Sequence, residues 1–225
     1  MKLRKVFVSS RLFGSYAVMT DPAFARNGND ERRIQELLRR RNLKRLKVRG
    51  VVCLESVDST QSFIENVLHS LTEGDIVISR VQTEGRGREN RVWISQEGGL
   101  WISMTLVPPS IEFLPRIPSM ATEAVVQTLE NSGLKDCYVK PPNDVYCRGK
   151  KIAGVLADGQ VIGMSAIAYL GIGININNDP SLSNDISKIA TSFVRETGHS
   201  LDLVEFAVSL IENIDRVYDR ILDAA

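Results

Sequence analysis

Residues 138 to 157 read Tyr138-Val-Lys140-Pro-Pro-Asn-Asp144-Val-Tyr-Cys147-Arg-Gly-Lys150-Lys151-Ile-Ala-Gly154-Val-Leu-Ala157. Three short runs with strand character, 138–140, 145–147 and 151–157, are separated by turn-forming residues. Arg148-Gly149-Lys150 joins the second and third as a hairpin, and the double proline with Asn143 and Asp144 fixes the bend between the first and second. Strands paired by hairpins argue against a doubly wound parallel sheet.

Reading outward keeps that pattern. Upstream, Val51 to Leu54 is an apolar run suited to a buried strand, and it leads into Asp58-Ser59-Thr60, good capping residues, before Phe63, Ile64, Val67 and Leu68 at helical spacing. Ile76 to Ser79 reads as a strand and Arg80 to Gly99 as a polar loop of about twenty residues, a length that is usually functional. Leu100, Ile102, Met104 and Leu106 then alternate as one face of a further strand. A helix is predicted over Pro115 to Leu129, with Ile117, Met120, Ala124, Val125 and Leu129 on one face and Asn131-Ser132-Gly133 as its stop. Downstream, Asp158-Gly159 predicts another turn, Val161 to Ile176 one or two strands, and Val204, Ala207, Ile211, Ile214, Tyr218 and Ile221 a closing helix. The expected fold is α+β: a mixed, mostly antiparallel sheet with helices packed on it, spanning residues 51–225.

The chain has 225 residues, 43% of them apolar, enough for a substantial buried core. Cys53, Cys137 and Cys147 are odd in number and lack C-x-x-C spacing, which argues against a disulfide framework or a structural zinc and for a reducing, cytoplasmic setting. His69 and His199 stand apart from any cluster of metal ligands. No apolar run reaches the roughly 18 residues that span a bilayer, and no signal-peptide core follows Met1. The formal net charge of +1 conceals a division: residues 1–50 hold 14 Lys+Arg against 4 Asp+Glu, the remainder 14 against 23. This basic N-terminal extension has a short predicted strand at Val6 to Ser9 and one predicted helix, with Ile34, Leu37 and Leu38 on one face after Asn29 or Asp30 as cap. Residues 1–20 hold four basic residues and no acid, but no amphipathic targeting helix is evident. Arg39-Arg40-Arg41, Lys44, Arg45, Lys47 and Arg49 fit a solvated helix face better than a nucleic-acid contact.

The chemistry concentrates at Gln82-Thr-Glu-Gly85-Arg86-Gly87-Arg88-Glu-Asn-Arg91-Val-Trp93. Glycines interleaved with arginines let the backbone approach a ligand while guanidiniums offer forked donors to phosphate or carboxylate. Lys140, next to the double proline, adds a second cation. Gly171-Ile-Gly173-Ile-Asn175 has Ile176 where a dinucleotide fingerprint needs a third glycine, so it reads as a strand turning small residues toward a ligand. No G-x-x-x-x-G-K-[ST] phosphate loop is present.

Five motifs in order, Asp58-Ser59-Thr60, Gln82 through Gly85-Arg86-Gly87-Arg88 to Trp93, Lys140-x-Pro142-Asn143-Asp144, Lys151-Ile-Ala-Gly154-Val-Leu and Gly171-Ile-Gly173-Ile-Asn175, resemble the biotin protein ligase family. The resemblance implies the biotin/lipoate ligase-like, class II synthetase-like fold and a two-step reaction. Biotin's carboxylate attacks the α-phosphate of ATP to give biotinyl-5′-AMP and pyrophosphate, and a lysine of a biotin carboxyl carrier protein or domain then attacks that anhydride to form an amide, with AMP leaving. Mg²⁺ is expected at the phosphates. By family position Lys140 is expected to bridge carboxylate and α-phosphate, and Arg88, with Arg86, to close the loop over the adenylate. Ser59, Thr60, Gln61, Gln82, Gly85, Arg86, Gly87, Arg88, Lys140 and Gly154 are the expected biotin contacts. Arg86, Arg88, Arg91, Trp93, Asn143 and Asn175 are the expected ATP contacts, Trp93 stacking on adenine. A homodimer is expected on the same ground.

The chain departs from the family pattern at Gln61, where Asn is usual, at Pro141, where Trp is usual, and at Asp158, where Glu is common. It ends at Ala225 just after the predicted closing helix, whereas most members continue into a small β-barrel. One helix in the first 50 residues is also too little for the winged helix-turn-helix by which some members bind DNA. The rivals are a lipoate ligase or octanoyltransferase of the same fold and a non-catalytic biotin or nucleotide sensor. Octanoyltransferases use a cysteine beyond the stretch matching Asn175, where this chain has none, lipoate ligases lack the Gly-Arg-Gly-Arg and Lys-x-Pro-Asn-Asp motifs, and retention of Lys140 and Arg88 weighs against a sensor.

Overall fold

The structure, a computed structural model, describes residues 25–67, 73–180 and 188–223. The predicted strand at Val6 to Ser9, Leu68 and His69 lie outside the described residues.

Seven strands form one sheet: β1 (Gly50–Val57), β2 (Asp75–Gln82), β3 (Leu100–Leu106), β4 (Cys137–Lys140), β5 (Asp144–Cys147), β6 (Lys150–Ile162) and β7 (Ser165–Ile174). Their order is β1-β2-β3-β7-β6-β5-β4. β1 and β2 run parallel, with the helix α2 (Thr60–Val67) on the connection between them, and every other neighbouring pair is antiparallel. The sheet is therefore mixed and mostly antiparallel, as the hairpin-rich sequence implies.

Alternation along the strands sends side chains to two unequal layers. Val51 and Cys53 of β1 and Leu100, Ile102 and Met104 of β3 enter a large core. That core also takes the inner faces of α1 (Gly28–Arg39), α3 (Ile117–Asn131) and α5 (Leu203–Asp223). Val52 and Leu54 point the other way and, with Phe63 and Ile64 of α2, Val77 and Tyr169, make a smaller cluster. The thinner layer, covered by α2, leaves room for a cavity. A short helix, α4 (Phe193–Thr197), sets Phe193 into the large core.

Three local expectations are corrected. Asp158 and Gly159 lie inside β6, paired with Tyr169 and Ala168, and the chain reverses instead at Gly163, whose φ is +63°. Glycine stands at 159 for space: a Cβ there would sit 3.2 Å from Leu114. The first helix begins earlier than Asn29 or Asp30, because Asn27 caps it by accepting from the Asp30 N–H at 3.1 Å. The loop from Arg80 is not structureless either. β2 extends to Gln82, Arg86 bridges Val92, and Arg88–Asn90 form a single 3₁₀ turn.

Charge and packing have different boundaries near residue 50. Ile34, Leu38 and Leu46 are buried in the large core. The basic residues meet the acidic face of α5: Arg41 with Glu212, Lys44 with Asp219, and Arg45 with Asp219 and Asp223. Arg33 reaches Asp202 and Glu205. Asp215, buried on α5, accepts the backbone N–H groups of Lys44, Arg45 and Leu46 at 2.7, 2.8 and 2.7 Å. The opposite charges of the two parts of the chain thus meet within the molecule. No helix among the described residues is long and apolar enough to cross a membrane.

Candidate active site

A cavity of about 510 Å³ opens on the α2 side of the sheet. Its floor is cleared by glycines: Trp101 pairs with Gly173, Ser103 with Gly171, and Gly154 with Gly173 across β3, β7 and β6. Because Ile172 and Ile174 alternate into the core, Gly171 and Gly173 must face the cavity. A Cβ on Gly173 would lie 2.6 Å from Trp93 Nε1, and one on Gly154 3.0 Å from Trp93 Cζ3, so the Trp93 indole lies over both glycines. Its Nε1 is buried without a hydrogen-bond partner.

One end of the cavity is neutral and polar. Gln82 Oε1 accepts from the Thr60 N–H at 2.8 Å and from Thr60 Oγ1 at 3.0 Å, and Gln82 Nε2 donates to Ser95 Oγ at 2.6 Å. Ser103 Oγ lies 2.9 Å from Thr60 Oγ1 and 3.2 Å from Gln61 Oε1, while Gln61 Nε2 donates to the Tyr169 carbonyl at 2.9 Å. Ser59, Thr60, Gln61 and Ser103 are all buried. These groups hold one another in place and present a fixed row of donors and acceptors to a neutral polar ligand.

The other end is charged. Lys151 at the start of β6 folds over Gly154, its Nζ 2.7 Å from Asp144 Oδ1 and 5.0 Å from the Trp93 ring centroid. Arg88 Nη1 donates to Asn143 Oδ1 at 3.2 Å, and Asn143 Nδ2 donates to the Val155 carbonyl at 2.6 Å, which ties the loop tip to the β4–β5 turn. Arg86 pairs with Glu65 at 2.8 Å and with Asp158 at 3.3 Å. Burial pushes the Glu65 carboxyl up; the Arg86 hydrogen bond opposes this and the neighbouring Asp158 carboxyl adds to it.

Of the residues expected from sequence, Ser59, Thr60, Gln61, Gln82, Arg86, Gly87, Arg88, Arg91, Trp93, Asn143, Gly154 and Asn175 all line this one cavity. Asn175 does so with its amide already committed, Nδ2 to the Thr191 carbonyl at 3.0 Å and Oδ1 to Asn178 Nδ2 at 2.9 Å. Two other expected residues lie outside this lining. Gly85 is absent from it, and it is glycine because a Cβ would collide with the Trp93 carbonyl oxygen. Lys140 is exposed at the end of β4, an outermost strand of the sheet, where its ammonium lies 4.4 Å from the Tyr146 ring centroid and 3.3 Å from Tyr146 Oη. The lysine in the cavity is Lys151. Sequence reading included Lys151 in a motif but gave it no role. It took Asn143-Asp144 as a pair able to bind a ligand or cap the turn without assigning Asp144 a place in the site, and it did not single out Ser103, although alternation places Ser103 opposite the core face of β3.

The three cysteines are buried and none lines the cavity. Burial pushes the Cys53 thiol up to about 12 and raises Cys137 and Cys147 as well. A cavity with this lining suits an anionic, phosphate-bearing molecule at one end and a neutral hydrogen-bonding group at the other, and it offers no thiol nucleophile.

Residues 53–177 match the model of the biotin/lipoate A/B protein ligase family. The bifunctional ligase/repressor BirA of Bacillus subtilis is 36% identical over 153 residues, covering 66% of this chain and 46% of that protein. The biotin--[acetyl-CoA-carboxylase] ligase of Paracoccus denitrificans is 30% identical over 163 residues, 68% of this chain and 66% of that one. A solved structure, the biotin protein ligase from Aquifex aeolicus in complex with biotin and ATP, aligns with a TM-score of 0.68 at 32% identity, covering 78% of this chain and 72% of that chain. The chain spans about half the length of the curated relatives it matches.

Proposed function

From the premise that this chain belongs to the biotin/lipoate A/B protein ligase family, we propose that it activates biotin with ATP and transfers the biotinyl group to a lysine of a carrier domain. The observation that carries this reading is a cavity neutral at one end, through Thr60, Gln61, Gln82 and Ser103, and cationic at the other, through Lys151 and Arg88. Biotin has a neutral ureido ring that both donates and accepts hydrogen bonds, and a carboxylate at the far end of an apolar chain. The first suits the fixed polar row and the second suits the lysine.

In the first step an anionic carboxylate must approach the α-phosphate of a polyanion, so the dominant barrier is electrostatic. Fixed cations at that point lower it more than flexible ones, because they need no reorganisation during the reaction. Lys151 is fixed by Asp144 and by packing over Gly154, and we assign it the role of bridging carboxylate and α-phosphate, a role sequence reading gave to Lys140. Arg88 faces the phosphates from the loop and, held by Asn143, screens the anhydride from water. Trp93, flat on the glycine floor, provides the apolar surface for the adenine ring.

Mg²⁺ is proposed with the phosphates. It usually binds through one or two carboxylates plus substrate oxygens, and Asp144, a half-buried carboxylate in the lining, fits that need. Bound there, it would neutralise charge on the phosphates. In the second step the acceptor amine, an ordinary lysine titrating near ~10.4, attacks as its free base. The acceptor proposed is a biotin carboxyl carrier protein or domain. We also propose a homodimer and a cytoplasmic, reducing setting, which the three free thiols suit.

The test is pyrophosphate release from ATP and Mg²⁺ in parallel reactions with biotin, lipoate and octanoate. Biotin-dependent release with a later mass gain on a carrier domain is the expected result. Release with lipoate instead would move the substrate to the sister chemistry, and tight biotin binding without release would leave a sensor.

A further inference from the structure

The loop over the cavity is rooted by backbone bonds, Thr83 N–H to the Val57 carbonyl at 2.9 Å and Glu84 N–H to the Asp58 carbonyl at 2.8 Å. Beyond the root it is a narrow hairpin, with Gly87 N–H to the Arg91 carbonyl and Trp93 N–H to the Gly85 carbonyl, both at 2.7 Å. Its side chains fasten it at two places. Arg88 meets the neutral amide of Asn143. Arg86 is gripped from two different elements, Nη1 by Glu65 on α2 and Nη2 by Asp158 on β6.

Glu65 is unlike the surface acids elsewhere. Glu65 Oε1 is buried without a partner, so the side chain accepts an uncompensated polar atom in order to offer Oε2 to Arg86. Asp158 Oδ2 accepts from Arg86 and also from Gln61 Nε2 at 3.3 Å, and Gln61 lies in the cavity lining. One carboxylate oxygen therefore connects the loop to the neutral polar end of the cavity. A planar guanidinium can serve both acids at once, whereas a lysine ammonium offers no such fork.

We infer that Glu65 and Asp158 are positioning residues for the activation step: together they hold Arg86, and through it the 83–92 loop, down over the cavity, and Gln61 links that hold to occupancy of the polar end. Neither acid touches the reacting atoms. The inference rests on the proposed reading for what the loop covers, while the tie itself stands on the geometry alone.

The experiment therefore has one readout that needs no substrate. Amide hydrogen exchange across residues 83–92 is compared in the ligand-free wild type, Glu65→Gln/Asp158→Asn and Arg86→Gln, the last a substitution at an exposed side chain that spares both carboxylates. Both variants are expected to exchange at least about 10-fold faster there, a shift of about 1.4 kcal/mol in loop opening, with the rest of the sheet unchanged. In steady-state pyrophosphate release the Glu65→Gln/Asp158→Asn variant should raise the biotin KM about 10-fold and change kcat less than about 3-fold. Combining the acid substitutions with Arg86→Gln should add almost nothing, because all act through one guanidinium. Arg86→Lys should recover part of the loss. Unchanged exchange at 83–92, or fully additive effects of acids and arginine, overturns the inference. Faster exchange in a protein that fails to activate biotin keeps the tie and removes only the substrate.

Discussion

Replacing Asp215 with Ala should cost about 4 kcal/mol of stability. The carboxylate is buried on α5 and accepts three backbone N–H groups from consecutive residues, Lys44, Arg45 and Leu46. Hydrogen bonds to a charged acceptor contribute about 1.5–3 kcal/mol each when neither partner can reach water. Lys44 and Arg45 are exposed, so their N–H groups can rehydrate and about 1 kcal/mol apiece is lost. Leu46 is buried, so its orphaned N–H costs about 2 kcal/mol. For a domain of this size that is a fall of about 8–16 °C in midpoint temperature. Asp215→Asn keeps an oxygen acceptor and should lose about half as much. The assay is urea and thermal unfolding followed by circular dichroism. A destabilisation below about 0.5 kcal/mol for Asp215→Ala would refute the reasoning, because it would mean that the segment 44–46 is held by Leu46 packing and the Asp219 and Asp223 ion pairs without Asp215.

Other consequences are independent of this one. Gly173→Val should push the Trp93 indole off the cavity floor, shifting its fluorescence to longer wavelength and weakening ATP binding by about 10-fold, about 1.4 kcal/mol. Hydrogen bonds from Lys44 and then Arg45 hold the Asp219 carboxyl below its ordinary value. A carboxyl lowered on folding stabilises above its unfolded pKa, roughly 3.9, and that stabilisation fades as pH falls toward the folded value. Asp219→Asn should thus be less stable than wild type at pH 7 and approach it in urea unfolding as pH falls below the ordinary carboxylate range. Arg88→Ala should release the adenylate prematurely, seen as ATP consumption that outruns carrier labelling.

The fold was legible where patterning and turn chemistry agreed. The run 138–157 announces its hairpins, and the period-two face of β3 announces its core side. Asp158-Gly159 misleads because a dipeptide typical of turns is used for clearance beneath Leu114, a tertiary reason invisible locally. The charge division of the chain is plain in the sequence, but its meaning is not, since only the packing of α5 shows that Lys44 and Arg45 face Asp215, Asp219 and Asp223. In the site, the glycines and the Arg-rich loop were readable because their residue types are unusual. Two lysines eleven residues apart, Lys140 and Lys151, carry the same charge and both border motifs. Only the pairing of β4, β5 and β6, which places Asp144 opposite Gly154, sets Lys151 against Asp144 in the cavity, while Lys140, also opposite Asp144 but on an outermost strand, is exposed and turned to Tyr146.

That distinction gives the most direct test of the account. Biotin-dependent pyrophosphate release should be measured for Lys151→Gln and Lys140→Gln side by side, with folding of both checked by unfolding midpoint. Removing one preorganised electrostatic donor typically costs about 10²–10³ in rate, so Lys151→Gln should fall by that amount while Lys140→Gln stays within about 3-fold of wild type. Near-normal release by Lys151→Gln, with collapse in Lys140→Gln, would contradict the account.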